Sequence, residues 1–306
     1  MKKKKDTSIK RTFLKNDLYY HGMVLPGFIF LIIFNYVPMA GLLMAFQDFV
    51  PAKGIFGSKW VGLQHFEYMF SLPDSWEIFR NTIVIALGKI ILTMLLAIVF
   101  SVVLNEIIHI RFKKTVQTIV YLPHFLSWVV LAAVVANLFK LDGVINKFLV
   151  QLGFDAVNFL GNAKVFPWLM VGTDVWKEFG YSSIVYLAAI TSIDPGLHEA
   201  AAIDGASWWR RIWHVTLPGM RPIIILQAAM GLTRVLSAGF DQIYNLYSPI
   251  VYETADVLDT YVYRVGLISR QYSFGTAVGL LRSVVGIILL LTANHLAKKY
   301  ADRKIF

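Results

Sequence analysis

The chain has 306 residues, of which 57% are hydrophobic and only 16% are charged, and its mean hydropathy is +0.60. Soluble proteins carry about 25% charged residues, so this composition excludes an ordinary soluble domain. The net charge of +10 would suit a nucleic-acid-binding protein, but no platform of interleaved basic and aromatic residues accompanies it. The absence of cysteine excludes disulfides and thiolate metal sites.

Six apolar stretches are long enough to cross a membrane, which takes about 20 residues of helix. The predicted spans are residues 23–46, 82–104, 116–138, 167–190, 222–245 and 275–297. They define an all-α membrane domain over residues 23–297, between basic tails at 1–22 and 298–306. The apolar run from Met23 is too long for a signal peptide and lacks a small-residue cleavage site, so we interpret it as an uncleaved first span.

Basic residues are concentrated on one side of this predicted topology. Seventeen lie in the two tails, in the loop after the second span and in the loop between the fourth and fifth spans, whereas eight lie in the three opposite loops. Cytoplasmic segments of membrane proteins carry such an excess of Lys and Arg. The pattern therefore predicts that both termini and the loop at 192–221 are cytoplasmic, and it explains the positive net charge as a topology signal.

The loop after the first span carries a family-like motif. Residues 62–66 read Gly-Leu-Gln-His-Phe, and residues 81–82 at the start of the second span read Asn-Thr. This segment resembles the external loop of carbohydrate permeases, which typically have Gly-Leu-x-Asn-Phe followed by Asn-Thr; His65 replaces the usual Asn. Residues 36–39 and 46–49 add a resemblance to the polysaccharide and complex-oligosaccharide branch of that family.

Polar and ionisable residues interrupt the predicted fourth and fifth spans, and such residues are costly at membrane depth and usually functional. Those of the fourth span fall within one helix face about 100° wide. They are Asp174, Lys177, Glu178 and Tyr181. Those of the fifth span form a similar stripe with small residues and include Gln227, Arg234 and Asp241. We interpret the two stripes as the lining of a polar solute path.

An alternative explanation for these charges is structural pairing, for instance of Arg234 with Asp174 or Glu178. In the predicted sixth span, Arg282 lies in a stripe of glycines, and Lys89 stands alone in the second span. For these two residues, pairing or snorkelling to the interface explains the sequence at least as well as contact with a solute. The sequence leaves both interpretations open.

The loop between the fourth and fifth spans contains the most specific motif of the chain. Residues 199–201 read Glu-Ala-Ala, three residues separate them from Gly205, and nine further residues precede Val215, one residue before Leu217-Pro218. This spacing resembles the coupling loop of ABC-importer permeases, in which Ile stands where this chain has Val215. Asp194-Pro195 is suited to begin a helix, and Gly205 permits a sharp turn.

The resemblance implies two short cytoplasmic helices that an ATPase subunit grips. The coupling residues that it implies are Glu199, Ala200, Ala201, Asp204, Gly205, Leu217 and Pro218. The alternative is an amphipathic helix lying among lipid headgroups, with Trp208, Trp209 and Trp213 as interfacial anchors.

The resemblance covers essentially the whole chain and implies its fold and partners. The implied fold is that of a type I ABC-importer permease with six transmembrane helices, located in the cell membrane among its lipids. The implied function is ATP-driven uptake of a sugar, an oligosaccharide, delivered by an extracytoplasmic solute-binding protein. The implied further partners are a second homologous permease, which would form a heterodimer, and two cytoplasmic ATPase subunits.

The chain has no phosphate-binding loop of its own. Lys89 follows a glycine but is followed by Ile90, and the earlier glycine of the Gly-x-x-x-x-Gly-Lys-[Ser/Thr] pattern is missing. Without that loop the chain cannot hydrolyse ATP by itself. We therefore expect no cofactor on this chain, and the resemblance places ATP and magnesium on the partner ATPase subunits.

In maltose-type permeases, which this chain resembles, the helices before and after the coupling loop line the sugar cavity. Counting back from Glu199, Tyr181 coincides with an aromatic cavity position of that family. Asp174 and Glu178 stand where the family has small or amide residues. That departure suggests a substrate different from theirs.

Two other functions remain open from the sequence. The first is the same permease fold with a non-sugar solute, such as a peptide or phosphate, which the external loop disfavours. The second is an integral-membrane enzyme that uses Asp174, Glu178 and Asp241 for acid–base work. The coupling loop argues against the enzyme, because an enzyme has no need to display such a loop on the cytoplasmic side.

Overall fold

The computed structural model describes residues 19–301, and this part of the chain is almost entirely helical. One short antiparallel ribbon joins β1 (Gln47–Asp48) to β2 (Lys59–Trp60), with Gln47 opposite Trp60. The predicted all-α class is confirmed.

Fifteen helices follow one another along the described chain. In order they are α1 (Tyr19–Phe46), α2 (Gly54–Gly57), α3 (Gln64–Ser71), α4 (Pro73–Asn105), α5 (Ile110–Tyr121), α6 (Trp128–Phe139), α7 (Val144–Gln151), α8 (Phe166–Thr191), α9 (Pro195–Ile203), α10 (Trp208–Arg211), α11 (Leu217–Leu232), α12 (Phe240–Leu246), α13 (Tyr252–Ala255), α14 (Leu258–Tyr261) and α15 (Tyr272–Ala301). Segments of 3-10 or π helix occur within α1 at Ile32–Tyr36 and Val37–Phe46 and elsewhere at Leu122–Phe125, Ile212–Thr216, Pro249–Val251 and Val262–Ile268.

Five helical segments of the described chain are long and apolar enough to cross a membrane. They are Tyr19–Phe46, Pro73–Asn105, Trp128–Gln151, Trp208–Leu232 and Tyr272–His295. Helix α8 covers the predicted fourth span and has 26 residues, but Asp174, Lys177 and Glu178 make it more polar than the other five. The protein is thus multi-pass, and the count of six spans stays a prediction that depends on α8 crossing as well.

Two predicted spans are interrupted in the structure. The span expected at 116–138 is divided between α5 and α6, with Pro123 at the start of the irregular connection. The span expected at 222–245 ends as α11 at Leu232 and resumes as α12 at Phe240. Proline lacks a backbone N–H, and Gly239, directly before α12, adopts a left-handed φ of 95° that a continuous α-helix does not contain. The continuous apolar character of the sequence conceals both breaks.

Helices α4 and α8 form the most extensive helix pair and the scaffold of the domain. Their shared core contains Ile85, Met170 and Val175, and it continues into α12 through the fully buried Ile243. Because α12 packs into the same core as α4 and α8, the interrupted fifth span is held beside the charged face of α8.

Helix α1 stands apart from this core. Residues 19–40 are all exposed, and the helix contacts α15 through its last segment, Val37–Phe46. An apolar helix that is exposed on all sides must face lipid or another protein chain.

Close packing of α8 against α5 depends on Gly180. A Cβ atom at this position would lie 2.4 Å from the carbonyl oxygen of Val120, and a backbone atom cannot move aside as a side chain can. We expect Gly180→Ala to destabilise the protein by about 1–3 kcal/mol through overpacking, seen as a lower thermal unfolding midpoint in detergent. Gly172→Ala on the same helix is the matched control, because nothing lies within 4 Å of a Cβ there. Equal midpoints for the two variants would contradict the close approach.

Candidate functional site

A cavity of about 370 Å³ lies between α4, α8 and the end of α11. Four of the seven predicted path residues line it, namely Asp174, Glu178, Gln227 and Arg234. The other three, Lys177, Tyr181 and Asp241, are not among its lining residues. The structure therefore brings four of the predicted residues together at one cavity, while the solute path and the role of each residue in transport stay a prediction.

Lys89 connects α4 to α8 and to the break in the fifth span. Its ammonium lies 3.5 Å from an Asp174 carboxylate oxygen. It donates a 2.6 Å hydrogen bond to the Ala238 carbonyl and another to the side-chain oxygen of Gln242. Only 6% of Lys89 is exposed, so the structure supports pairing for this residue.

Gln242 completes the same network from α12. It is fully buried, and its amide nitrogen donates to the Met170 carbonyl and to the Thr173 hydroxyl, each at 2.8 Å. Every polar atom of the Gln242 side chain thus has a partner, as buried amides require.

A second network lies next to Glu178. One carboxylate oxygen accepts from the Lys177 ammonium at 2.8 Å, and the other lies 2.8 Å from Nδ1 of His124. Lys177 also donates to the His124 carbonyl at 2.9 Å. The Tyr181 ring stacks on the His124 ring, with centroids 3.9 Å apart and planes 1° from parallel. One face of Tyr181 is therefore already occupied.

Arg234 differs from the charged residues of these networks because it is exposed and its side chain has no hydrogen bond or ion pair within residues 19–301. Asp174 pairs with Lys89, and Glu178 pairs with Lys177 and His124. The suggested pairing of Arg234 with one of these carboxylates is therefore wrong, and the guanidinium remains available in the cavity.

Arg282 does have a partner. It forms an ion pair with Asp259 of α14 and donates a 2.5 Å hydrogen bond to the Ser237 hydroxyl. Burial raises the pKa of the Asp259 carboxyl above its usual range, and the charge of Arg282 opposes that rise. The pairing interpretation of Arg282 is thus supported.

Sequence reasoning missed His124, Gln242 and the connecting role of Lys89. For His124 and Gln242, the available signal in the sequence was a polar residue inside an apolar stretch and close to a helix-breaking residue. His124 follows Pro123, and Gln242 lies three residues after Gly239. Within the described residues, no cluster of His, Cys, Asp and Glu is arranged to hold a metal ion.

The predicted coupling loop begins as expected. The Asp194 carboxylate accepts a hydrogen bond from the Gly196 N–H at 2.9 Å at the start of α9. At the other end, the Gly205 N–H donates to the Ala202 carbonyl and the Ala206 N–H donates to the Ala201 carbonyl. This pair of bonds, with a left-handed φ of 73° at Gly205, is the Schellman helix ending.

The tip of this loop presents apolar side chains outward. Ile203 is 87% exposed, and Leu197 and Trp209 are also exposed, beside the exposed Glu199 and Asp204. Ala200 is exposed too, and Ala201 is half-buried in α9. Leu217 and Pro218 open α11, where Leu217 packs against the core of α8 and fastens the loop to the membrane domain.

A multi-pass helical protein with a polar cavity and an exposed helical loop has the architecture of a membrane transport subunit. Residues 94–302 match the family described as the binding-protein-dependent transport system inner membrane component, and the chain belongs to that family.

Curated relatives match nearly the whole chain. It is 41% identical over 300 residues to the polygalacturonan/rhamnogalacturonan transport system permease protein YteP of Bacillus subtilis (strain 168), covering 97% of this chain and 94% of that protein. It is 38% identical over 294 residues to protein LplB of the same organism, covering 96% of this chain and 92% of that protein.

Solved structures of bacterial ABC transporters also contain chains that resemble this one. A chain in the crystal structure of a bacterial ABC transporter involved in the import of the acidic polysaccharide alginate superimposes with a TM-score of 0.87 and 38% identity, covering 94% of this chain and 98% of that one. A chain in the complex of a bacterial alginate ABC transporter with its alginate pentasaccharide-bound periplasmic protein gives a TM-score of 0.88 and 37% identity, with 96% and 99% coverage.

The predicted family and fold are confirmed. The chain is a multi-pass permease subunit of an ABC importer, with the type I permease fold, and its family works with a solute-binding protein. The family consists of transport subunits, which excludes the membrane-enzyme alternative.

Proposed function

We propose that this permease imports an acidic oligosaccharide, which an extracytoplasmic binding protein delivers. The single observation that carries the proposal is the free guanidinium of Arg234 in the cavity. Both carboxylates of the cavity wall are already neutralised by Lys89 and Lys177. The cavity therefore has one uncompensated positive charge, and guanidinium binds carboxylates with two parallel hydrogen bonds.

The relatives support the same solute class. One is named for polygalacturonan and rhamnogalacturonan, and the solved transporters import alginate, an acidic polysaccharide. Asp174 and Glu178 depart from the maltose-type pattern, but each carboxylate is paired with a positively charged lysine. The cavity wall therefore presents no uncompensated negative charge, which agrees with an acidic solute.

We propose the remaining subunits from exposed surfaces. Residues 19–40 of α1 are mostly apolar and are all exposed, which supports packing of this helix on a second, homologous permease in a heterodimer. Two cytoplasmic ATPase subunits would receive the exposed tip of α9 and α10, and they would carry ATP and magnesium, because this chain has no phosphate-binding loop.

The coupling proposal can be tested at Gly205. A left-handed backbone costs L-residues other than Asn and Asp roughly 1–2 kcal/mol, and no neighbour lies within 4 Å of a Cβ there. We therefore expect Gly205→Val to weaken co-purification of the ATPase subunits and to reduce transport, whereas Gly205→Asn should retain both. If the Val and Asn variants show the same co-purification of the ATPase subunits and the same transport, the helix ending at Gly205 does not position the docking surface.

The orientation of the termini is also a proposal, supported by the asymmetry of basic residues. A reporter that is active only in the cytoplasm should be active when fused after residue 110, near 208 and at the C-terminus, and inactive near 60, 150 and 258. Activity near 150 would refute the topology.

The solute proposal predicts a specific defect for Arg234→Met. Loss of a charge-assisted contact of about 1.5–3 kcal/mol should weaken uptake of an acidic oligosaccharide roughly 10- to 100-fold. Assembly and basal ATPase activity should persist, because Arg234 supports no other group. The measurement is uptake into proteoliposomes that contain the whole complex, with the loaded binding protein outside.

Two controls sharpen this experiment. Arg234→Lys retains the positive charge but loses the planar guanidinium that can form two parallel hydrogen bonds with a carboxylate. Uptake by the complex with this variant should therefore be intermediate. Arg270→Met removes an exposed arginine from the loop before α15, and it should have no effect. Normal uptake by Arg234→Met would exclude the proposed contact, and loss of assembly would show that the guanidinium has a structural partner after all.

A further inference from the structure

The two interrupted spans create the same physical problem. Within lipid, a backbone carbonyl without a hydrogen-bond donor costs several kcal/mol, so freed groups need a partner inside the protein. At the break between α11 and α12, the Ala238 carbonyl accepts from no backbone N–H of the described residues. At the break between α5 and α6, the same holds for the His124 carbonyl.

In both breaks the donor is a lysine ammonium. Lys89 donates to the Ala238 carbonyl at 2.6 Å, and Lys177 donates to the His124 carbonyl at 2.9 Å. The two lysines come from different helices, α4 and α8, and each is at most 7% exposed. Each is also paired with a carboxylate of α8, Lys89 with Asp174 and Lys177 with Glu178.

The N–H donors of Lys89 are all directed at protein groups, and two of the three donors of Lys177 are used in the same way. An ammonium has three N–H donors, and those of Lys89 are directed at Ala238, Gln242 and Asp174. Lys177 has two acceptors and lies 5.9 Å from the centroid of the Trp128 ring, a cation–π distance.

We propose that Lys89 and Lys177 are positioning residues of the permease. Each keeps one interrupted span in its transport-competent shape by donating to the carbonyl that the break exposes, and the α8 carboxylate holds the ammonium in place. The proposal assigns Lys177 to the backbone of the third span and leaves Arg234 as the cation that faces the solute. The proposal requires that the chain act as a transport subunit of an assembled importer, and it does not depend on which solute is carried.

The close fit at the first break supports this assignment. Gly239 has a φ of 95°, and a Cβ there would lie 3.0 Å from the Lys89 ammonium nitrogen. The backbone therefore passes directly over the lysine. Because Gln242 connects the same ammonium to α8, a movement of the break would have to separate Lys89 from the groups around it.

This subunit has no cysteine, so an introduced thiol is the only one in the subunit, and its labelling in the complete complex can be measured on this subunit after the subunits are separated. Ser237→Cys places the thiol beside Ala238 on the cavity wall, and its rate of reaction with a maleimide is measured in lipid nanodiscs. Adding Lys89→Met should change that rate several-fold and reduce the solute taken up per ATP hydrolysed. A thiol at Thr93, on the continuous helix α4 of the same cavity, should react as before.

The decisive variant combines Lys89→Met with Asp174→Asn, which leaves no unpaired carboxylate. If Lys89 only neutralises Asp174, this double variant should restore both Ser237→Cys labelling and uptake, and the proposal is overturned. We expect both to remain altered, because the Ala238 carbonyl still lacks a donor. Failure of the double variant to assemble would also overturn the proposal, since it would show a general folding role. Lys140→Met, which removes a lysine from an exposed pair with Asp142, is the control and should behave as wild type.

The second break has its own test. Lys177→Met with Glu178→Gln should change labelling of a thiol at Leu126, which is 40% exposed beside the break. Reduced uptake with unchanged labelling would instead make Lys177 a solute contact and contradict the assignment. Both labelling tests are independent of solute identity, so a failure of the acidic-oligosaccharide proposal leaves their outcome unaffected.

Discussion

Backbone groups inside a bilayer need hydrogen-bond partners from the protein itself, and this constraint shapes the centre of the permease. Two spans are interrupted, so the carbonyls of Ala238 and His124 have no backbone donor within the described residues. Lipid cannot donate a hydrogen bond to them. Lysine ammonium groups from neighbouring helices donate hydrogen bonds to these two carbonyls. A buried ammonium in turn needs an opposite charge, and each of the two lysines is paired with a carboxylate of α8.

The breaks also depend on rigid packing around them. Helices α4 and α8 bury one continuous core, and α12 enters it through Ile243. Gly180 lets α5 approach the backbone of α8 closely, so the segment before the third-span break is fixed as well. The irregular segments are therefore short bridges between well-packed helices. Such an arrangement can hold two discrete shapes more readily than a uniformly flexible span can.

The sequence was sufficient for the fold class, the family and the helix start and turn of the loop at 192–221, because each depends on local or periodic signals. Hydropathy reveals apolar spans, and the helix start at Asp194 and the turn at Gly205 depend on chemistry within a few residues. The cavity was predictable only in part. Helical spacing placed Asp174 and Arg234 on facing stripes, but it could not tell which charges pair across helices. That choice depends on Lys89, which is 85 positions before Asp174 in the sequence, and on breaks that apolar composition conceals.

The pairing pattern decides which charge the cavity wall presents. With Asp174 and Glu178 neutralised, neither wall carboxylate repels an anion, and the exposed Arg234 is left to attract one. Had Arg234 been the partner of an α8 carboxylate, the same set of residues would present a neutral wall. If the two lysines have the proposed positioning role, the charge of the cavity wall depends on the backbone breaks, because the lysines that donate to them also pair with the α8 carboxylates and leave the arginine without a partner.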